Sequence, residues 1–118
     1  MNIVASKILH SLGEFELSVQ AANNALQLQP NHFEALTLLH DNYKIKKDYT
    51  EAIEVAQLIV ILTPDNLRFH RILANDLKNN NQWTAALKEY QTIVNKQENP
   101  PIADLYLLAE CFNLADQP

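Results

Sequence analysis

Glycine is almost missing from this 118-residue chain, which has only Gly13. Glycine-rich phosphate cradles depend on positive-φ positions, and β-sandwiches and barrels depend on tight hairpin turns, so both are disfavoured. Cysteine is equally scarce. Cys111 alone cannot form an internal disulfide framework or a multi-cysteine metal site. Long apolar runs are also lacking: the most apolar stretch, Val55 to Leu62, has eight residues and is interrupted by Gln57. A bilayer span needs about 20. The start, Met1-Asn2-Ile3-Val4-Ala5-Ser6-Lys7, has no basic residues leading into a long apolar stretch. Neither a signal peptide nor membrane insertion is expected, and the expected location is cytoplasmic. Positive charge is in deficit, with 9 Lys and Arg against 14 Asp and Glu and a formal charge of −5. A general nucleic-acid binder is therefore not expected.

What the chain does have is leucine and alanine, 18 and 13 residues, which favour helix. The length suits one domain with a modest core. Asn and Gln total 21, but they lie within periodic segments and form no low-complexity run.

The chain repeats itself. Pro30 and Pro64 are 34 residues apart, and at that spacing Phe15, Tyr49 and Trp83 align. So do Ser18, Ala52 and Ala86; Leu9, Tyr43 and Leu77; Ala25, Ile59 and Ile93; and Asn31, Asp65 and Asn99. Each unit reads as two helices. In the middle unit, Asn31 and Glu34 resemble a capping box. Leu36, Leu39 and Tyr43 follow at helical spacing as one apolar face. Asp48 starts a second helix with a buried stripe of Tyr49, Ala52, Ala56 and Ile59, and Pro64 stops it. Small residues on the second helix let the two backbones approach closely.

The period, the alternating small and large columns and the terminal prolines resemble the tetratricopeptide repeat over nearly the whole chain. The first unit carries Gly13-Glu14-Phe15, Ser18, Ala25 and Pro30, and the second carries Leu39, Tyr43, Tyr49, Ala52 and Pro64. The third carries Leu73-Ala74, Leu77, Trp83, Ala86 and Tyr90. A fourth starts at Pro100-Pro101 with Leu105, Leu108-Ala109 and Phe112, displaced by one residue. The resemblance implies an all-α fold, a right-handed α-solenoid of antiparallel helix pairs with about seven helices. It forms one domain over 1–118, with repeats at about 1–30, 31–64 and 65–99 and a partial fourth at 100–118. Two departures stand out. His40 occupies the column of Ser6, Ala74 and Ala109, where the family prefers a small residue, so a splayed pair or an outward imidazole is expected. Glu98 replaces the third proline, so a changed angle before the last helix is expected. The turn column holds Gly13, Lys47 and Asn81; glycine is preferred there but not required, and asparagine is the next best left-handed residue.

No catalytic or metal constellation emerges. His10, His32, His40 and His70 include no pair three to five residues apart, so no helical metal pair forms. Each is expected at a surface or half-buried position. Cys111, between Leu108 and Phe112, reads as a small buried hydrophobe. Ser6, Ser11 and Ser18 lack a glycine-bounded elbow. Glu14/Glu16 and Glu51/Glu54 suit helix starts, where the dipole favours them. The chain is expected to be no enzyme, with no cofactor and no metal.

In the family, the first helices of successive repeats line a groove that holds peptides or helices. The resemblance therefore assigns three solvent-facing columns. These are Ile3, Thr37, Arg71 and Tyr106; Lys7, Asp41, Asn75 and Glu110; and His10, Lys44, Lys78 and Asn113. Lys7, Lys44, Arg71 and Lys78 outnumber Asp41 and Glu110 by two. With Arg68 they predict a cationic strip for an acidic segment or a C-terminal carboxylate, Arg71 binding it bidentately and Asn75 holding peptide backbone. Leu107 stands near where the chaperone-type carboxylate clamp of this family needs a further asparagine, so that clamp is incomplete. A second surface is Val55, Leu58 and Ile61, which replace Ala21, Asn24 and Gln27 before and Glu89, Thr92 and Asn95 after. It suggests a convex contact, such as a homo-oligomer. The apolar last helix, with Leu105, Leu107, Leu108, Phe112 and Leu114, reads either as the cap of the array or, the favoured expectation, as part of a longer array. A third role is then an accessory domain of a longer enzyme.

Overall fold

The computed structural model describes residues 3–116. It holds seven α-helices and, among the described residues, no strand. The chain divides into two compact units, Met1–Leu62 and Thr63–Pro118, a division that falls close to the expected end of the second repeat. The first unit contains α1 (Val4–Ser11), α2 (Phe15–Leu28), α3 (Phe33–Ile45) and α4 (Tyr49–Leu62). The second contains α5 (Leu67–Asn79), α6 (Trp83–Asn95) and α7 (Ile102–Ala115). Within each unit, consecutive helices pack on one another. No described helix is long and apolar enough to cross a membrane.

The turns inside the helix pairs repeat atom for atom. Gly13, Lys47 and Asn81 have φ of 80°, 62° and 62°, the left-handed region. After each, the N–H of Glu14, Asp48 or Gln82 donates at 2.9 Å to the carbonyl of Leu9, Tyr43 or Leu77. The left-handed residue's own N–H donates to His10, Lys44 or Lys78 at 3.0 Å. This is the Schellman closure, which satisfies helix-end carbonyls otherwise left without a donor. The turn column read from the sequence is the turn column of the structure.

The caps fall one residue later than the sequence reading placed them. His32, not Asn31, caps α3: its Nδ1 accepts from the Ala35 N–H at 3.2 Å. Asn66, in register with His32, caps α5 by accepting from the Arg68 N–H at 3.1 Å. An imidazole nitrogen aimed at the third amide does the work of an Asx oxygen. Glu34 is thereby displaced from the capping-box position. Pro101 is the residue before α7, 35 positions after Asn66, which accommodates the one-residue displacement of the last unit. The segment between α6 and α7, 96–101, has two residues more than 29–32 between α2 and α3.

The small columns are where the helices meet. Ser18, Ala52 and Ala86 are fully buried, as are Ser6 and Ala74 opposite two of them. In the first pair the Ser6 hydroxyl donates to the Ser18 carbonyl and the Ser18 hydroxyl to the Ser6 carbonyl, both at 2.8 Å. A hydroxyl that reaches the facing backbone in both directions requires the two helices to be in close approach. His40 is buried, with Nδ1 3.9 Å from an Asp41 carboxylate oxygen. It therefore corrects the expected outward imidazole, and α3 packs on α4 as extensively as α5 does on α6. His70 is buried as well, its Nε2 2.7 Å from the Pro64 carbonyl and its Nδ1 3.1 Å from Glu89. His70 is satisfied inside the packing by these two acceptors, which is what lets its ring be buried.

Candidate partner-binding faces

In the first unit, the face shared by α1 and α3 is held by an ion pair between Lys7 and Glu34, both half-exposed. That pairing keeps the Glu34 carboxyl below the usual carboxylate range, chiefly through the hydrogen bond from Lys7. Lys44 lies further along α3, half-buried, with Asp41 exposed one turn before it. Two neighbours of these residues leave the solvent-facing columns. Ile3 is buried in a cluster with Ala25 and Ala35, because the start of α1 lies over the end of α2. His10 is half-buried, with Nδ1 2.6 Å from the Asn42 side-chain oxygen and its ring edge-on to Phe15. Asn42 is fully buried and passes the network on, donating from Nδ2 to the Ser18 hydroxyl at 2.8 Å. A Ser–Asn–His chain of this kind resembles a relay in outline, but its two serines are sealed from solvent and committed to helix carbonyls. It specifies packing.

In the second unit, Arg71 of α5 reaches α7. Its Nε and Nη2 donate to the two oxygens of Asp104 at 3.2 and 2.8 Å, and Gln97 Nε2 donates to Asp104 at 3.0 Å. Asp104 is almost wholly buried. The guanidinium, then Gln97, holds its carboxyl below the usual range, against the opposing effect of burial. Lys78 pairs with Glu110 about two turns further along both helices. These two bridges place α5 and α7 side by side with the expected columns on one face. Arg68, Asn75 and Tyr106 are exposed on it. Arg68 lies with its guanidinium carbon 5.6 Å from the Phe69 ring centre.

The sequence reading thus located the cations and missed their counter-charges. Glu34 and Asp104 lie outside the three columns, so they were not counted against Lys7 and Arg71, and with them the excess of two positive charges is cancelled. Asp104 could have been noticed as the one acid in the first turn of α7, 33 residues from Arg71 and so next to its column. Of the second surface, Leu58 and Ile61 are 49% and 71% exposed, while Val55 is buried at 6% and drops out of the patch. Cys111 is fully buried, and burial pushes its thiol above the ordinary range. The neighbouring Tyr90 hydroxyl is pushed up to about 12, mainly by burial. Among the described residues, no three His, Cys, Asp or Glu side chains are grouped to hold a metal ion.

No family model and no curated protein matches the chain in sequence. Solved structures match it in fold. YrrB, described as a TPR protein with an unusual peptide-binding site, superposes with a TM-score of 0.75 at 22% identity, over 97% of this chain and 58% of YrrB. MamA superposes with a TM-score of 0.77 at 21% identity, over 96% of this chain and 64% of MamA. The first TPR module of Spaghetti (RPAP3), bound to the HSP90 peptide SRMEEVD, gives 0.72 at 12% identity, over 96% and 89%. The chain therefore spans about three fifths of the length of YrrB and MamA.

Proposed function

From the premise of a tetratricopeptide-repeat fold, we propose that the chain is a non-enzymatic protein-interaction scaffold or adaptor, binding a peptide or helix segment of a partner along its first-helix faces. The observation that carries this reading is the face of α5 and α7. Two ion pairs hold it together, and Arg68, Asn75 and Tyr106 remain exposed on it. Asn75 offers a donor and an acceptor to a peptide backbone, Tyr106 offers a ring with a hydroxyl, and Arg68 offers a guanidinium fork suited to a carboxylate. Arg71 keeps Nη1 outside its bonds to Asp104 and Gln97. Lys78 is committed to Glu110, and Lys7 and Lys44 are the cations of the corresponding face in the first unit.

Because Asp104 and Glu110 offset Arg71 and Lys78, Arg68 is the one uncompensated charge among these five. That favours a short acidic segment or a single terminal carboxylate over a long polyacidic run. The acidic peptide held by the RPAP3 module supports this class of ligand for the fold. The reading involves no cofactor, nucleic acid or membrane insertion, and its setting is the cytoplasm. A peptide-display selection against the chain tests it. Selected sequences should be enriched in Asp and Glu, and their binding should fall on Arg68→Ala and on Asn75→Ala. Selections without acidic enrichment, or binding indifferent to both variants, refute it.

A second reading is supported by Leu58 and Ile61, apolar and exposed one turn apart on α4, with Leu62 partly exposed beside them. It is self-association through that patch.

A further inference from the structure

Arg71 stands in the middle of the α5 and α7 face, with Arg68 one turn before it and Asn75 one turn after, both exposed. A guanidinium in that place suits a ligand carboxylate, because two parallel N–H groups match its two oxygens. Here those two donors are already taken. Nε and Nη2 of Arg71 donate to Oδ1 and Oδ2 of Asp104 at 3.2 and 2.8 Å, the two-point geometry such a ligand would adopt. Gln97 Nε2 donates to Asp104 Oδ2 at 3.0 Å and to the Ile93 carbonyl at 2.9 Å, which ties the carboxylate to the end of α6. Nη2 also reaches Gln97 Oε1, at 3.5 Å, so the donor left over is Nη1.

The two ends of the pair differ in freedom. The Asp104 side chain is 6% exposed and the Arg71 side chain 40%. A ligand carboxylate that took the Nε and Nη2 edge would leave Asp104 buried without its cation and beside a second negative charge. Stripping a buried carboxylate of its partner is strongly unfavourable, so the internal acid keeps the edge. With its charge cancelled from behind, Arg71 attracts a carboxylate weakly, whereas a neutral carbonyl oxygen can still accept an ordinary hydrogen bond from Nη1.

We propose that Asp104 is the specificity-determining residue of this face. It fills the Arg71 fork from within, so that Arg71 serves a neutral peptide oxygen, and the partner segment carries its acid opposite Arg68 and an uncharged residue opposite Arg71. The inference rests on the α5 and α7 face being the one that binds. Arg68 and Arg71 are three apart on one helix, about 5–6 Å between Cβ atoms, and an extended peptide advances about 3.3 Å per residue. The uncharged position therefore lies about two residues from the essential acid.

The probe is a fluorescein-labelled acidic peptide, selected by display, whose binding falls on Arg68→Ala. In synthetic versions of it, each uncharged residue within three positions of the essential acid is replaced singly by glutamate. Anisotropy titrations then compare the parent chain, Asp104→Asn and Arg71→Gln/Asp104→Asn. Every added glutamate should leave binding to the parent unchanged or weaker. Asp104→Asn should gain about tenfold from the glutamate about two residues from the acid, and not from the others. That gain should vanish in Arg71→Gln/Asp104→Asn, which has no guanidinium at 71. A mere rise in positive potential would strengthen every acidic version alike. An added glutamate that strengthens binding to the parent overturns the proposal, and that arm needs no variant to fold. A gain in Asp104→Asn that is absent, equal at every position, or retained without Arg71 overturns it too, with helicity checked by circular dichroism. Selected peptides indifferent to Arg68→Ala refute the binding face itself, and with it the proposal, before any glutamate is added.

Discussion

Lys47 shows what one residue stores. It sits in the same left-handed turn as Gly13 and closes with the same two hydrogen bonds, but it carries a Cβ that this region disfavours. Lys47→Gly should therefore stabilise the first unit by about 1 kcal/mol, net of the extra chain entropy glycine brings to the unfolded state. Gly13→Ala should cost a similar amount. An added Cβ at Gly13 meets no atom within 4 Å, so the penalty is purely backbone strain. Urea unfolding of the three proteins measures both. Equal midpoints would remove the turn argument.

Asp104 illustrates a different control. Its folded pKa lies below the unfolded value because Arg71 and Gln97 donate to the charged form. Its contribution to stability is thus present above the unfolded pKa of about 3.9 and is lost as pH falls through the lower folded value. Asp104→Asn should cost on the order of 2 kcal/mol at neutral pH, since it leaves a charged donor without its carboxylate. It should also flatten the decline in stability below about pH 4. Urea midpoints between pH 2.5 and 7 check both. An acid limb unchanged by the substitution would contradict the assignment.

At the scale of elements, the sequence was most legible where sterics allow few choices. The small columns, the aromatic openings of the second helices and the turn column follow from backbone approach and from left-handed geometry, so their periodicity survives in the residues. Caps and charge pairs were less legible, because several residue types satisfy them. His32 performs a cap that Asn31 suggested, and Asp104 and Glu34 hold cations from outside the period. Burial of polar residues was read least well. Asn42 and Asp76 are fully buried in one column, together with Cys111. The residue types of Asn42 and Asp76 do not announce it, whereas Cys111 was expected to be buried. Helix α4 carries the element-scale prediction. With Val55 buried, its exposed apolar surface is Leu58, Ile61 and Leu62, the last standing where the sequence placed Val55. If this patch associates, Leu58→Glu should convert the oligomer to monomer by light scattering with helicity unchanged. A parent that is monomeric at every concentration would remove the self-association reading.

For the whole molecule, the repeat determines the fold and supplies the faces. The Ser6 and Ser18 hydroxyls are bonded to helix carbonyls, the Cys111 thiol is buried with its pKa raised, and the exposed polar residues of α5 and α7 are those the proposed peptide would meet. The central claim is that this face binds a short acidic segment, and salt dependence and substitution test it together. The most direct measurement is the affinity of a display-selected acidic peptide for the parent chain and for Arg68→Ala/Asn75→Ala, at low and moderate ionic strength. The account predicts a loss of roughly tenfold or more in the double variant, and weaker salt dependence once the guanidinium is gone. Equal affinities and equal salt slopes for the two proteins would contradict it.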